Sequence, residues 1–249
     1  MFVLISPAKK QDFNAGTDGY QAGVSIPFAS KTEALLGILK QYSEGELAQA
    51  LSVSHQLAQL NHQRFATFDL SGDTKSALFA YQGDVYQYMG PDSWNEQALI
   101  NAKQRLFIVS AMYGILRADT KIAPYRLEMI NRIGHIGPMA KYWSEEVTAH
   151  MNDAIQGGIL LNLASKAYSE VINRKKFQGQ IIDINFLDQR PDGQLKTVAV
   201  NAKRARGLMA KAVMQMSDPS IDAVKSLAVR DYQFDETLSS DHIWVFVKH

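Results

Sequence analysis

The sequence predicts a mixed α/β (α+β) fold in a single domain that spans residues 1–249. Three observations predict it: short continuous apolar runs, helical patterns between those runs, and a composition without a shift that would mark a linker. Continuous apolar runs are typical of strands buried on both faces, and strands interspersed with helices are typical of mixed α/β domains. Because 46% of the residues are hydrophobic, the chain is able to bury a large core.

The apolar runs give the predicted strands, and helical periodicity gives the helices between them. The strands are predicted at Phe2–Ile5, Ala77–Tyr81, Leu106–Val109, Ile159–Leu163, Ile181–Leu187, Thr197–Val200 and Ile243–Val247. The helices are predicted at Thr32–Gln41, Glu44–Leu51, Gln56–Phe68, Trp94–Arg105, Met139–Ala154 and in a basic segment after Val200. The turn residues Pro191-Asp192-Gly193 predict a hairpin between the fifth and sixth strands, and the Gly-rich segment 14–27 predicts a loop.

Charge and cysteine content exclude several classes of function. Lys and Arg number 26 against 25 Asp and Glu, so no global field attracts nucleic acid, and any anion site must be a local cluster. The absence of cysteine excludes disulfides, thiolate metal ligands and thiol peroxidase chemistry. No secretory signal is visible and no apolar run approaches the roughly 20 residues needed to cross a bilayer. We therefore expect a cytoplasmic protein with no membrane partner.

The most informative segment is 197–216, which is predicted as a short strand followed by a helix with Lys203, Arg204 and Arg206 in its first turn. Cations at a helix N-terminus are unfavourable by roughly 0.3–1 kcal/mol each, so three of them indicate a bound anion. Asn201 is the predicted N-cap. Gly207 lies on the basic arc, where a missing side chain would let a phosphate approach. The alternative is a solvated basic face in which Gly207 is tolerated or needed for packing.

Small polar or cationic residues follow several of the predicted strands. In α/β sheets the ligand crevice lies outside the carboxyl ends of the strands, so these endings are expected to converge on one cationic cleft. Antiparallel strands would instead scatter them to opposite edges. The residues concerned are Ser6 and Lys9, Ser110 and Arg117, Asn162 and Ser165, and Asn201, Lys203 and Arg204.

Other candidate groups leave alternatives open. Arg126 is either a phosphate-binding arginine or the partner of Glu128. The acids Asp84, Glu128, Asp183 and Asp188 form no pair by spacing, so caps and ion pairs are the better interpretation. The six histidines lack metal-ligand spacing, and the common nucleotide-binding and hydrolase signatures are absent, so we predict neither a metal nor a cofactor.

Residues from about 44 to 68 predict two short helices joined by the turn Ser52-Val53-Ser54. The arrangement is similar to a helix-hairpin-helix, in which an apolar residue plugs the hairpin and backbone N–H groups bind a DNA phosphate. Val53, Ser54 and Ala58 have matching spacing, although serine stands where glycine is usual. Two packed core helices account for the pattern equally well.

Five blocks of sequence resemble, in order, the YaaA family of bacterial peroxide-stress proteins, and they span nearly the whole chain. They are LISPAK (4–9), GDVY (83–86), SAMYGILR with PYRLEM (110–117 and 124–129), NLAS (162–165) and AKRARG (202–207). The resemblance implies a single domain of unusual mixed topology with a positively charged cleft and a helix-hairpin-helix-like element. It also implies binding of double-stranded and branched DNA, a role in the oxidative stress response and links to recombinational repair, with no firmly attached catalytic activity. Cationic positions of the matching blocks are occupied by Lys9, Arg117, Arg126, Lys203, Arg204 and Arg206.

Ala167 stands where the family usually has an acidic residue, which favours binding over catalysis. We therefore expect a cytosolic, sequence-nonspecific DNA-binding protein that contacts the phosphate backbone, with recombination or repair proteins as further partners. The alternative is an enzyme that acts on a small anionic or nucleotide substrate in the same cationic cleft.

Overall fold

An eight-stranded mixed sheet organises the fold, which is seen in a computed structural model that describes residues 1–14, 25–70, 72 and 74–248. Most of the loop predicted at 14–27 lies outside these residues. The sheet strands are β1 (Phe2–Ile5), β5 (Leu106–Ser110), β6 (Gly114–Arg117), β10 (Ile159–Asn162), β11 (Gln180–Gln189), β12 (Leu195–Lys196), β13 (Tyr232–Asp235) and β14 (Ile243–Lys248). Short strands outside it are β2 (Lys10–Gln11), β3 (Lys75–Ser76), β4 (Tyr81–Gln82), β7 (Lys121–Ile122), β8 (Arg132–Ile133) and β9 (Gly137–Pro138).

The strand order is β13-β14-β11-β10-β1-β5-β6, with β12 paired to β11. The five middle strands run parallel, whereas β13, β12 and β6 pair antiparallel to their neighbours. Continuous burial of β1 and β5 matches their unbroken apolar sequence, because a parallel sheet is covered on both faces. The carboxyl ends of β1 and β10 therefore meet at one edge of the sheet, which we call the carboxyl edge.

The helices of the described residues connect and cover these strands. They are α1 (Ala29–Leu39), α2 (Glu44–Leu51), α3 (His55–Ala66), α4 (Ala77–Ala80), α5 (Asp84–Met89), α6 (Glu96–Arg105), α7 (Met139–Ile155), α8 (Lys166–Ser169), α9 (Ala199–Gln215) and α10 (Ile221–Lys225), with 3₁₀ turns at Pro91–Ser93 and Gly134–Ile136. No helix in this part of the chain is both long and apolar enough to span a membrane.

The mixed α/β class is confirmed, and most predicted elements lie within a few residues of the observed ones. Two strand predictions are wrong. The run Ala77–Tyr81 forms the buried helix α4 instead, because a short apolar run fits a buried helix as well as a buried strand. Thr197–Val200 forms no strand, since the second arm of the hairpin is only Leu195–Lys196 and α9 begins at Ala199.

Candidate functional site

The carboxyl ends of β1 and β10 form one wall of a cavity. The backbone N–H of Ser165 donates to Ser6 Oγ at 2.9 Å, so the loops that follow the two strands are held together. The cavity measures about 340 Å³, and we call it the Ser6 cavity. Its other walls come from the turn before α5, from α9, from Glu128 and from Tyr168.

Cations outnumber acids around this cavity, although the whole chain has a net charge of only +1. Lys9 and Lys203 are exposed at the rim, whereas Arg206 is largely buried in the wall. The charged lining residues are Lys9, Lys10, Lys203 and Arg206 against Asp84 and Glu128. The site therefore has a local positive excess.

Glu128 holds two of the predicted cations at the cavity. Its Oε1 lies 3.0 Å from Lys9 Nζ and 3.1 Å from Arg126 Nη2. The interpretation of Arg126 as the partner of Glu128 is thus confirmed. The pair leaves Arg126 Nε buried without a hydrogen-bond partner, and one carboxylate is shared between two cations. Positive charge remains available to an incoming anion.

Helix α9 supplies the other cations, but from a different position than predicted. The helix begins at Ala199 with Val198 as its cap residue, so Lys203, Arg204 and Arg206 lie in the second turn rather than the first. The prediction of Asn201 as N-cap is wrong, because Asn201 Nδ2 donates instead to Asp188 Oδ1 at 2.8 Å. The helix dipole is therefore not the reason for the cationic cluster.

The two arginines of α9 are incompletely paired. Arg204 Nε lies 4.0 Å from Asp84 Oδ1 and its guanidinium lies over the Tyr88 ring, yet Nε makes no hydrogen bond. Arg206 Nε is also buried without a partner, and among the described residues no hydrogen bond or ion pair to Arg206 is found. Burial lowers the pKa of the Arg206 guanidinium from its ordinary value. An unpaired buried charge is unfavourable, so this group favours binding of an anion.

Gly207 does not face an anion. A Cβ atom at this position would lie 2.2 Å from the carbonyl oxygen of Val85 and 3.0 Å from the backbone nitrogen of Met89. Glycine is therefore needed for close packing of α9 against α5. This corrects the hypothesis of a phosphate approach and supports the packing alternative.

Arg117 lies away from the cluster. Its strand β6 runs antiparallel to β5 and pairs Arg117 with Phe107, so the side chain lies toward the amino ends of the parallel strands. The guanidinium donates to the Gln104 carbonyl oxygen at 2.8 Å and lies 4.1 Å from the centre of the Phe107 ring. The expectation that it joins the other strand endings is wrong, because β6 runs antiparallel to β5 and carries Arg117 to the opposite edge.

Asn162 lies in a neighbouring cavity. Its Nδ2 donates to Asp183 Oδ1 at 2.7 Å, and Arg174 Nη2 donates to the same oxygen at 2.7 Å. This second cavity measures about 510 Å³ and shares Arg206 with the Ser6 cavity. The prediction of ion pairs for the candidate acids is confirmed for Asp183. Asp188 instead accepts hydrogen bonds from Asn201 Nδ2 and Tyr232 Oη.

A buried group of hydroxyls lies behind the Ser6 cavity. Tyr86 Oη donates to the Ser6 carbonyl oxygen at 3.1 Å, and Tyr125 Oη lies 2.8 Å from Ser110 Oγ and 2.6 Å from Tyr81 Oη. Burial raises the pKa of Tyr125 to about 12, so this phenol stays neutral near pH 7. Ser110 is fully buried, and the end of β5 thus supports the site from behind instead of lining it.

Sequence reasoning missed the contribution of Tyr168, whereas Asp84 forms an ion pair with Arg204, as expected for the candidate acids. Tyr168 is half-buried in the cavity wall, and burial raises the pKa of its phenol. No local sequence pattern marks Tyr168 as a site residue, because its position in the cavity wall depends on how the chain folds after Ser165. Asp84 belongs to the GDVY block, so the family resemblance was the signal that pointed to its segment.

Helices α2 and α3 form the predicted helical hairpin. Ser52 adopts a left-handed conformation with φ of +52°, and Ser54 caps α3 by accepting from the Leu57 N–H at 3.4 Å. Ala58 is fully buried and Val53 is half-buried against the core. Asn131 Nδ2 donates to the Ala50 carbonyl oxygen at 3.1 Å, so the segment that carries Arg126 and Glu128 is in contact with this hairpin.

The arrangement of the site is suited to binding an anion, through two exposed lysines and arginines that are incompletely paired. Within residues 1–14, 25–70, 72 and 74–248, no group of three or more His, Asp or Glu side chains is placed to hold a metal ion.

Comparison with known proteins agrees with the family resemblance of the sequence. The family model described as "Peroxide stress protein YaaA" matches residues 1–238. A "UPF0246 protein" of Rickettsia peacockii (strain Rustic) is 36% identical over 252 residues, with all of both chains covered. A protein of the same description from Rickettsia rickettsii (strain Iowa) is 35% identical over 251 residues, again with full coverage.

Proposed function

The chain belongs to the YaaA family of peroxide stress proteins, and we propose that it acts in the peroxide response by binding DNA through phosphate contacts at the carboxyl edge. The DNA is duplex or branched and is bound without sequence preference. It does not act as a thiol peroxidase, because the chain has no cysteine. Recombination or repair proteins are its further partners.

The observation that carries the proposal is the local excess of positive charge in a nearly neutral chain. Lys9, Lys203 and Arg206 line one cavity, and Arg126 and Arg204 are linked to it through Glu128 and Asp84. Two partly exposed acids, Asp84 and Glu128, neutralise only part of this charge. Phosphate neutralisation by Lys and Arg supplies most of nonspecific DNA affinity, so such a cluster is sufficient for it.

The α2–α3 hairpin supports a second contact with the same strand. The first N–H groups of a helix have no intrahelical partner, and at α3 the Ser54 hydroxyl occupies only that of Leu57. Those of His55 and Gln56 remain for a phosphate oxygen. The link through Asn131 keeps this turn in a fixed position relative to Glu128.

The test is the salt dependence of binding to a fluorescent duplex, followed by anisotropy. The double variant Lys9→Gln/Lys203→Gln removes two exposed cations without disturbing the core. Each phosphate contact contributes about 0.9 to the slope of log affinity against log salt, so the slope falls by roughly 2 and the affinity at 0.1 M salt by roughly 10- to 100-fold.

The matched control is Lys176→Gln. Lys176 is an exposed lysine near the amino end of β11, where Asn152 Nδ2 donates to its carbonyl oxygen, and this variant is expected to bind like the wild type. Binding without a salt slope, or an equal loss in both variants, contradicts the proposal.

A further inference from the structure

The Ser6 cavity is too small for a duplex and has the volume of a small-ligand site. Its volume of about 340 Å³ lies at the lower end of the range typical of small-ligand sites, about 300–1,000 Å³. A B-form duplex has a major groove alone about 12 Å wide, so DNA at this edge rests across the rim. The interior remains for a single unit.

The charged side of the cavity fits a phosphate. Arg206 lies largely buried in the wall with its Nε unpartnered, and Lys203 lies one turn earlier on α9 at the rim. A planar guanidinium binds two phosphate oxygens at once, and this binding would relieve the unpaired buried charge. Glu128 does not compete for Arg206, because it is paired with Lys9 and Arg126.

Part of the cavity wall is apolar and aromatic. Tyr168 and Tyr86 line it together with Leu163 and Val85, and the Tyr86 hydroxyl is already occupied by the Ser6 carbonyl. Stacking of a base on an aromatic ring contributes about 1–3 kcal/mol and tolerates any base. Phosphate alone would leave this wall without a contact.

We propose that the Ser6 cavity binds one nucleoside monophosphate unit, with its phosphate on Arg206 and Lys203 and its base against Tyr168. The unit is either a free nucleotide or an unpaired nucleotide of a bound DNA strand, and the second source rests on the proposed DNA-binding function. An unstacked base enters most readily where the duplex is bulged or branched, because its pairing is already lost.

The experiment uses the full chain and two kinds of probe. Calorimetry with deoxyadenosine 5′-monophosphate, inorganic phosphate and deoxyadenosine tests the cavity alone. Anisotropy with a perfect duplex and with the same duplex carrying one unpaired nucleotide tests the DNA source. The variants are Arg206→Met, which keeps most of the side-chain length, and Tyr168→Leu, which removes the aromatic ring. Lys176→Gln is the control, and thermal melting checks folding.

The expected result is that the mononucleotide binds at least tenfold more tightly than phosphate or the nucleoside. Arg206→Met weakens it at least tenfold. Tyr168→Leu reduces mononucleotide binding by about fivefold or more, and it lowers affinity for the bulged duplex by a larger factor than affinity for the perfect duplex.

The possible failures are distinguishable. Salt-dependent duplex binding with neither mononucleotide binding nor a preference for the bulge overturns this inference and leaves the DNA-binding proposal intact. Mononucleotide binding without duplex binding overturns the DNA-binding proposal and assigns the cavity to a free nucleotide. Equal binding of phosphate and mononucleotide, unaffected by Tyr168→Leu, overturns the assignment of the aromatic wall.

Discussion

Arginines at the two edges of the central sheet differ in how their guanidinium groups are satisfied. At the opposite edge, where the parallel strands begin and which we call the amino edge, Arg117 donates to a backbone carbonyl and lies against the Phe107 ring. At the carboxyl edge, Arg126, Arg204 and Arg206 each have a buried Nε without a partner. All four arginines belong to sequence blocks that resemble one family, so the sequence does not distinguish the structural arginine from the candidate binding arginines.

Local geometry, and not residue type, therefore separates a structural arginine from a candidate binding arginine. A satisfied guanidinium contributes to the free energy of folding. A half-buried and unsatisfied one is unfavourable in the unliganded protein, and this cost is recovered when an anion binds. Three predictions test this contrast.

The largest effect is expected at Gly207, which sets the position of the cations on α9. In Gly207→Ala the new Cβ would lie 2.2 Å from the Val85 carbonyl oxygen, and a backbone atom cannot move aside easily. Overpacking of this kind destabilises by about 1–3 kcal/mol or more. Urea denaturation measures the free energy of unfolding, and DNA affinity is expected to fall with it.

Gly37→Ala is the matched control for Gly207→Ala. Gly37 is exposed in α1 and a Cβ there meets nothing within 4 Å, so alanine should stabilise by about 0.4–1 kcal/mol. If the two variants changed stability alike, the close packing of α9 on α5 would not hold the carboxyl edge in place.

The next effect is a contrast between Arg117→Met, which should change stability, and Arg206→Met, which should change anion affinity. Loss of the hydrogen bond to Gln104 should lower the free energy of unfolding of Arg117→Met by about 1 kcal/mol, with DNA affinity unchanged. Arg206→Met should keep or gain stability and lose anion affinity, because no partner is left unsatisfied. Denaturation and anisotropy measurements on both variants test this prediction. A loss of DNA affinity in Arg117→Met would show that the arginines of the two edges do not differ in role.

The smallest effect concerns pH at the amino edge. Burial, followed by the nearby Arg117 charge, lowers the pKa of His150 below its ordinary value of 6.5. The unfolded chain therefore takes up a proton on this residue before the folded protein does, and stability is full above about pH 6.5 and falls below it. Urea denaturation at pH 7.5 and 5.5 should show a smaller decrease in His150→Gln and in Arg117→Met than in the wild type. An unchanged decrease in the free energy of unfolding of both variants would show that His150 does not contribute to the loss of stability at low pH.

The sequence predicted the parallel strands well for a physical reason. β1 was predicted with its observed bounds, and β5, β10 and β14 differ by one residue, since a strand buried on both faces is an unbroken apolar run. The antiparallel edge strand β6 was not predicted, because Gly114 and Arg117 at its ends leave only a short apolar run between them. The basic helix was found, but its start was misplaced because Ala199 and Val200 fit a strand as well as a first helical turn.

The sequence by itself determined the fold class, the family and the residue types of a cationic cluster, because apolar periodicity and block order are local properties of the chain. Only the tertiary structure decided which cations share a cavity. Strand direction moved Arg117 to the other edge, close packing gave Gly207 its role, and the Ser6–Ser165 contact joined segments 159 residues apart. Direction, register and helix packing depend on long-range contacts, and no local pattern encodes them.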